Sequence, residues 1–318
     1  MAMNAFLFPG QGSQSVGMGS ELAAAFLTAR EVFEEVDETL HQKLSTLMFE
    51  GPAEELTLTQ NAQPALMTVS LAVLRVLERD AGITIKERVR VVAGHSLGEF
   101  SALAAAGSLT IPAAARLLRR RGEAMQRAVP PGEGAMAALI GAELEQASAI
   151  CAEAEAGPEG REVVAVANDN GGGQVVISGA RAAVARATAL ARERGVRRVM
   201  MLPVSAPFHC PLMEPAASAL AEALAETDLK APAVPIVANV TAQPTSDAEE
   251  IRALLVKQVV GLVRWRESVM TMLGMGVENF VELGAGKVLS GLVHRIVPDA
   301  TVRAVGTPAE IEALVKVF

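Results

Sequence analysis

Val89-Arg-Val-Val-Ala-Gly94-His-Ser-Leu-Gly98-Glu-Phe-Ser-Ala-Leu-Ala-Ala-Ala-Gly107 is the stretch that decides the fold. Val89 to Ala93 is a compact, β-branched apolar run and predicts a buried strand. Gly94 turns the chain, and Leu97 to Ala106 predicts a helix that stops at Gly107. A buried strand that turns sharply into a helix is the repeating unit of an α/β domain with a parallel sheet. The turn, Gly94-His95-Ser96-Leu97-Gly98, matches the G-x-S-x-G elbow. Glycines on both sides let the chain reverse without side-chain clash, and a serine at the apex projects its hydroxyl beyond the strand. The helix that follows aims its free amides at the same place, where an oxyanion would be held. The strand before and the helix after favour this reading over a plain helix N-cap.

The same units recur outward from the elbow. Asn4–Phe8 predicts a strand ended by Pro9 and Gly10, and helical patterns follow around 20–40 and 64–79, the second with Pro64 in its first turn. The middle of the chain changes character. Ala135–Ile140 predicts a strand, Glu143–Glu155 a helix and Glu162–Ala167 a strand. After the turn Asn168-Asp-Asn-Gly-Gly-Gly173 come a strand at Gln174–Ser178, a helix at Ala180–Arg194 and a strand at Val196–Pro203. That order, βαββαβ, is the ferredoxin-like pattern. The α/β expectation is therefore a large domain, 1–130 and 204–318, with a parallel sheet, and a small ferredoxin-like subdomain, 131–203, inserted into it. The large domain resumes with a strand at Pro235–Asn239, a helix from Ala248 and a strand at Asn279–Leu283.

Composition narrows the function. Of the 318 residues, 51% are hydrophobic and 20% charged, which suits a folded core rather than disorder. The net charge is -8 and aromatics are 3%, with no Tyr, which speaks against a nucleic-acid partner. Apolar runs are far shorter than the ~20 residues of a membrane span. Met1-Ala-Met-Asn-Ala-Phe6 shows no secretory signal, and two cysteines, Cys151 and Cys210, form no disulfide framework. A cytoplasmic protein is the expectation.

A serine needs a base. Of four histidines, His95 adjoins Ser96 but should point away from it, and His41 and His294 lie in polar or helical surroundings. His209 lies in Ser205-Ala-Pro-Phe-His-Cys-Pro211, a proline-punctuated loop where the two domains meet, so it is the candidate base, although spacing alone leaves a structural histidine open. Cys210 is a weaker candidate nucleophile than Ser96. No His, Cys or Asp pair has metal-ligand spacing, and no metal is expected. Between Ala113 and Arg127, residues Ala114, Leu117, Leu118, Arg121 and Met125 fall on one helical stripe. Arg121 thus faces inward, while Arg119 and Arg120 lie off the stripe. A buried guanidinium needs an anion. Pattern alone leaves open whether that is a structural carboxylate or a substrate's. Gly10-Gln-Gly12-Ser-Gln-Ser15 breaks the dinucleotide fingerprint and Gly284-Ala-Gly-Lys-Val288 lacks the parts of a P-loop, so no nucleotide cofactor is expected.

Phe8-Pro-Gly-Gln-Gly-Ser-Gln14, Gly94-His-Ser-Leu-Gly-Glu99, Arg121-Gly122, Phe208-His209, Gln258 before Val263-Arg-Trp265, and Glu282-Leu-Gly-Ala-Gly-Lys287 occur in this order. Together they resemble, essentially end to end, the malonyl-CoA:acyl carrier protein transacylases of bacterial fatty-acid synthesis. The resemblance implies an α/β-hydrolase-like large domain, a ferredoxin-like small one and a site between them. It implies Ser96 as nucleophile, His209 as base, Arg121 as the malonyl-carboxylate residue, and the amides of Gln11 and Leu97 as the oxyanion hole. Gln258 corresponds to the residue whose carbonyl orients the histidine, and Asn168 to an asparagine near the cleft. Phe208 departs from the small residue of many fatty-acid-synthesis relatives. A bulky residue there accompanies malonyl over methylmalonyl preference in related polyketide acyltransferases. The substrates implied are malonyl-CoA and the phosphopantetheine thiol of acyl carrier protein, with no bound cofactor and a monomeric enzyme. Arg119, Arg120, Arg194, Arg197, Arg198 and Lys287 are candidates for a basic patch that meets the acidic carrier. The alternatives are a malonate decarboxylase subunit, a discrete polyketide acyltransferase, a serine thioesterase or hydrolase, and a non-catalytic carrier-docking subunit.

Overall fold

Asn4–Phe8 is buried along its whole length and lies between Val89–Gly94 and Asn279–Leu283. The computed structural model describes residues 3–158 and 160–318. Its larger sheet has the order Pro244–Thr245, Ile236–Val237, Val89–Gly94, Asn4–Phe8, Asn279–Leu283, Thr301–Val305. All neighbours are parallel except the two-residue edge strand Pro244–Thr245. The central strands are apolar on both faces because helices cover both. Phe6, Phe8, Val92 and Val281 join one core, and Ala5, Leu7, Val91, Ala93 and Phe280 join another on the opposite face. This is the period of two that a pleated strand imposes.

A second, antiparallel sheet has the order Val164–Asp169, Gln174–Ala180, Gly134–Ile140, Arg198–Met201. Helices Leu144–Ala154 and Arg181–Glu193 connect its strands. Ala135, Ala137 and Leu139 pack with Ile150 of the first helix and Val184 of the second, while Met136 and Ala138 turn the other way, into the core of the large sheet's helices. One face of this small sheet therefore belongs to its own helices, and the other roofs the region above the elbow.

Four expected details differ. The strand predicted over Pro235–Asn239 is only Ile236–Val237. The helix predicted from Pro64 starts five residues earlier, at Thr59, and runs to Arg79 with Pro64 inside it. Its first turns carry Thr59, Asn61 and Gln63, polar yet buried, so no apolar stripe announces them. The strand predicted to end at Ala167 runs from Val164 to Asp169, with a register shift between Val166 and Asn168, which places Asn168 in the sheet rather than in the turn. The strand predicted over Val196–Pro203 is only Arg198–Met201. Among the described residues no helix is long and apolar enough to cross a membrane.

Candidate active site

Ser96 stands at the end of Val89–Gly94 with φ 52° and ψ -109°, a left-handed backbone that a non-glycine residue holds only under constraint. The constraint is local packing. A side chain at Gly94 would run into the backbone of Gly98, and one at Gly98 into the carbonyl of Phe8. Asn239, fully buried, closes the turn from outside. Its Nδ2 donates to the Gly94 carbonyl at 2.7 Å, and its Oδ1 accepts from the Ser96 amide at 2.8 Å. The helix Leu97–Ala105 starts immediately after the serine.

His209 reaches this serine from the loop after Arg198–Met201. Its Nε2 lies 2.8 Å from Ser96 Oγ, and its Nδ1 lies 2.8 Å from the main-chain oxygen of Gln258. A carbonyl only accepts, so Nδ1 carries the hydrogen and Nε2 presents a lone pair to the serine hydroxyl. Burial first, and the Arg121 cation second, push His209 down to about 3, so the ring is a neutral base. His95 turns away as expected, with its Nε2 2.9 Å from Asn170 Oδ1, and His41 and His294 are exposed. Cys210 donates to the Pro207 carbonyl, and burial raises its thiol, so it stays protonated.

The helix Ile111–Ala128 starts at Thr110, whose side chain caps the Ala113 amide, and turns Arg121 inward to 2% exposure. One guanidinium nitrogen donates to Gln63 Oε1 at 2.7 Å. The other donates to Gln258 Oε1 at 2.8 Å and to Ser96 Oγ at 3.1 Å. The buried Nε meets no acceptor among the described residues, and no carboxylate there forms an ion pair with the group. Burial lowers Arg121 to about 10 against the opposing pull of Glu99, which leaves it a cation at neutral pH. A charge held by neutral amides, with donor capacity to spare, is suited to receive an anion.

Ser96, His209 and Arg121 line one cavity of about 420 Å³ together with Gln11, Leu97, Asn168 and Phe208. Gln258 lies beneath this surface, fully buried. The main-chain amides of Gln11 and Leu97 have no acceptor among the described residues; the Leu97 amide is one of the free donors at a helix start. Met136 and Leu202 of the small sheet and its exit loop form the opposite wall. No group of three or more His, Cys, Asp or Glu side chains among the described residues is placed to hold a metal ion.

Sequence reasoning did not single out Gln63 or Asn239, or the side-chain role of Gln258. The one hint for Gln63 and Asn239 is a polar residue in an otherwise apolar setting. The basic candidates divide. Arg120 pairs with Glu226, Arg194 with Glu153 and Lys287 with Glu310, while Arg119 turns to Asn61 and Gln42. Arg197 and Arg198 are exposed and form no ion pair among the described residues.

Residues 5–307 match the acyl transferase domain family. The chain is 46% identical over 316 residues to the malonyl CoA-acyl carrier protein transacylase of Bacillus subtilis, covering 99% of this chain and 97% of that one. It superimposes on the acyl-carrier-protein S-malonyltransferase of Bartonella henselae with a TM-score of 0.95 at 53% identity, covering 99% of each chain. A malonyl-transacylase solved in complex with its type II PKS acyl-carrier protein matches with a TM-score of 0.95 at 40% identity over the whole of both chains. On this likeness in sequence and shape, the chain belongs to the malonyl CoA-acyl carrier protein transacylases of the acyl transferase family.

Proposed function

We propose that this protein moves a malonyl group from malonyl-CoA to the phosphopantetheine thiol of an acyl carrier protein, through an ester on Ser96. The observation that carries the reading is the Arg121 guanidinium, 3.1 Å from Ser96 Oγ, buried and without a carboxylate partner of its own among the described residues. A thioester bearing a terminal carboxylate supplies the missing anion and is thereby aligned with the nucleophile. The names of the relatives support the same substrate and carrier.

In the first half-reaction His209 Nε2 takes the Ser96 proton as Oγ attacks the thioester carbonyl. The amides of Gln11 and Leu97 hold the oxyanion, where one donor is worth roughly 3–4 kcal/mol. Collapse breaks the carbon–sulfur bond, and the CoA thiolate takes the proton from His209. In the second half-reaction the carrier's thiol gives its proton to His209 and attacks the ester, and Ser96 leaves with that proton. The Gln258 carbonyl keeps the imidazole in register throughout. Phe208, beside the histidine in the cavity wall, crowds an α-methyl branch and favours malonyl over methylmalonyl. Asn168 borders both this cavity and an adjoining groove that also holds Lys287 and Arg295, a path for the pantetheine arm. The carrier docks near Arg197 and Arg198, the exposed cations at the start of the strand that leads to the cavity wall.

The architecture behind this chemistry is a large α/β-hydrolase-like domain, 1–130 and 204–318, with a ferredoxin-like domain, 131–203, inserted. The strand order of the small sheet and its separate core support that division. The test is intact-mass detection of acyl-enzyme with malonyl-, methylmalonyl- and acetyl-CoA, followed by a chase with carrier protein. A malonyl adduct on Ser96 that the carrier discharges is the expected result. Release of free malonate to water alone would make the protein a hydrolase instead.

A further inference from the structure

Glu99, the residue after the elbow, has no part in the transfer steps above, yet it is a carboxyl group at 1% exposure directly beneath the site. It sits in the first turn of Leu97–Ala105, and its Oε2 accepts from Gln258 Nε2 at 2.7 Å and from the Asn239 amide at 3.3 Å. The same Gln258 nitrogen also donates to the Ser96 carbonyl at 2.9 Å. Both strong acceptors of that nitrogen thus lie on the elbow side.

The orientation of this amide matters because its two ends differ. With Nε2 toward Glu99 and Ser96, Oε1 points at Arg121 and accepts from it at 2.8 Å. Turned over, the amide would set its NH2 against the guanidinium and its oxygen against the Ser96 carbonyl and, where Glu99 is ionised, against its carboxylate, losing three hydrogen bonds in a buried place. The Ser96 carbonyl fills one of the two hydrogens on Nε2. The other needs Glu99, since Asn239 Oδ1 is 3.4 Å away and already accepts from the Ser96 amide.

We propose that Glu99 is a positioning residue for substrate selection: it fixes the Gln258 side-chain amide so that its oxygen faces Arg121, and so holds the guanidinium at the acyl end of the cavity. The inference rests on the malonyl reading above. Burial raises the Glu99 carboxyl to about 7, but a protonated carboxyl still offers an acceptor oxygen, so the contact survives titration. The effect falls on the guanidinium and not on the base, because His209 is oriented by the Gln258 main chain, which Glu99 does not touch.

The experiment compares rates of acyl-enzyme formation from malonyl-CoA and acetyl-CoA in the parent protein, Glu99→Leu and Glu99→Gln, with melting temperatures alongside. Leucine fills the space and offers no acceptor. Glu99→Leu is expected to slow malonylation at least 30-fold and acetylation less than threefold, because an acetyl group has no carboxylate for Arg121 to hold. Glu99→Gln keeps an acceptor and is expected to recover malonylation to within about fivefold of the parent. Equal losses with both substrates, no loss with either, or a glutamine variant as poor as leucine would overturn the assignment. If Glu99→Leu does not fold, Glu99→Ala takes its place under the same criteria. Failure of the parent to form a malonyl ester on Ser96 would overturn the malonyl reading itself, whereas a malonylated parent with unselective variants removes only the role of Glu99.

Discussion

Gly122 lies against Gln60 so closely that a Cβ would stand 2.5 Å from the Gln60 Cα. The helices Ile111–Ala128 and Thr59–Arg79 therefore meet backbone to backbone, one residue from Arg121 and three from Gln63, which binds it. Gly122→Ala has to spread this contact. Overpacking of this kind costs about 1–3 kcal/mol, so the melting temperature should fall by about 2–8 °C. The KM for malonyl-CoA should rise as well, since Arg121 moves with its helix. A variant with unchanged KM would mean that the helices can separate without disturbing the guanidinium.

Arg121→Ala should reduce malonyl-enzyme formation by about 100- to 4,000-fold and acetyl-enzyme formation less than tenfold. A buried charge contact that loses its partner is worth roughly 3–5 kcal/mol, and acetyl never makes that contact. Initial rates with the two thioesters check this. Parallel losses would place the carboxylate elsewhere.

Ser96→Gly should leave no covalent malonyl label and also raise stability. The left-handed backbone at Ser96 stores about 1–3 kcal/mol for a residue with a Cβ, and glycine adopts it freely. A melting temperature about 2 °C or more above the parent, with label abolished in the intact-mass assay, is expected. A residual label would assign the nucleophile to another residue.

Two buried groups give opposite slopes to stability against pH. His209 stays neutral in the native chain down to about 3, whereas the unfolded chain takes up a proton below about 6.5, so stability is lost as pH falls through that window. Glu99 holds its proton up to about 7 when native but only to about 4.5 when unfolded, so stability is lost as pH rises through that window. Glu99→Gln removes only the second slope. The stability of this variant relative to the parent should therefore improve from pH 5 to pH 8, by up to about 3 kcal/mol, as thermal melts across that range would record. A difference that stays flat would mean that Glu99 is ionised in the native chain at pH 5.

The elbow was legible in the sequence because three local signals coincide there: a β-branched run, paired glycines and a helix start. Arg121 was legible because one helical stripe carries it, and the small sheet because short strands alternate with amphipathic helices. Gln63 and Asn239 were not, and neither was what the Gln258 side chain does. Each is a polar residue whose partner lies far along the chain, as Ser96 does from Asn239 and Glu99 from Gln258, and no periodicity encodes such a pairing. Pro64 misplaced a helix start because the turns before it are buried by polar contacts to the site rather than by apolar packing.

Gln258 serves the site twice, by its peptide oxygen toward His209 and by its amide side chain toward Arg121. Only the second use is exposed to codon change. Every residue type carries the same carbonyl, so a substitution at this position would change the surroundings of the guanidinium and of the Ser96 carbonyl while the support of the imidazole is inherited intact. A lineage exploring new thioesters could begin here without first passing through an inert enzyme.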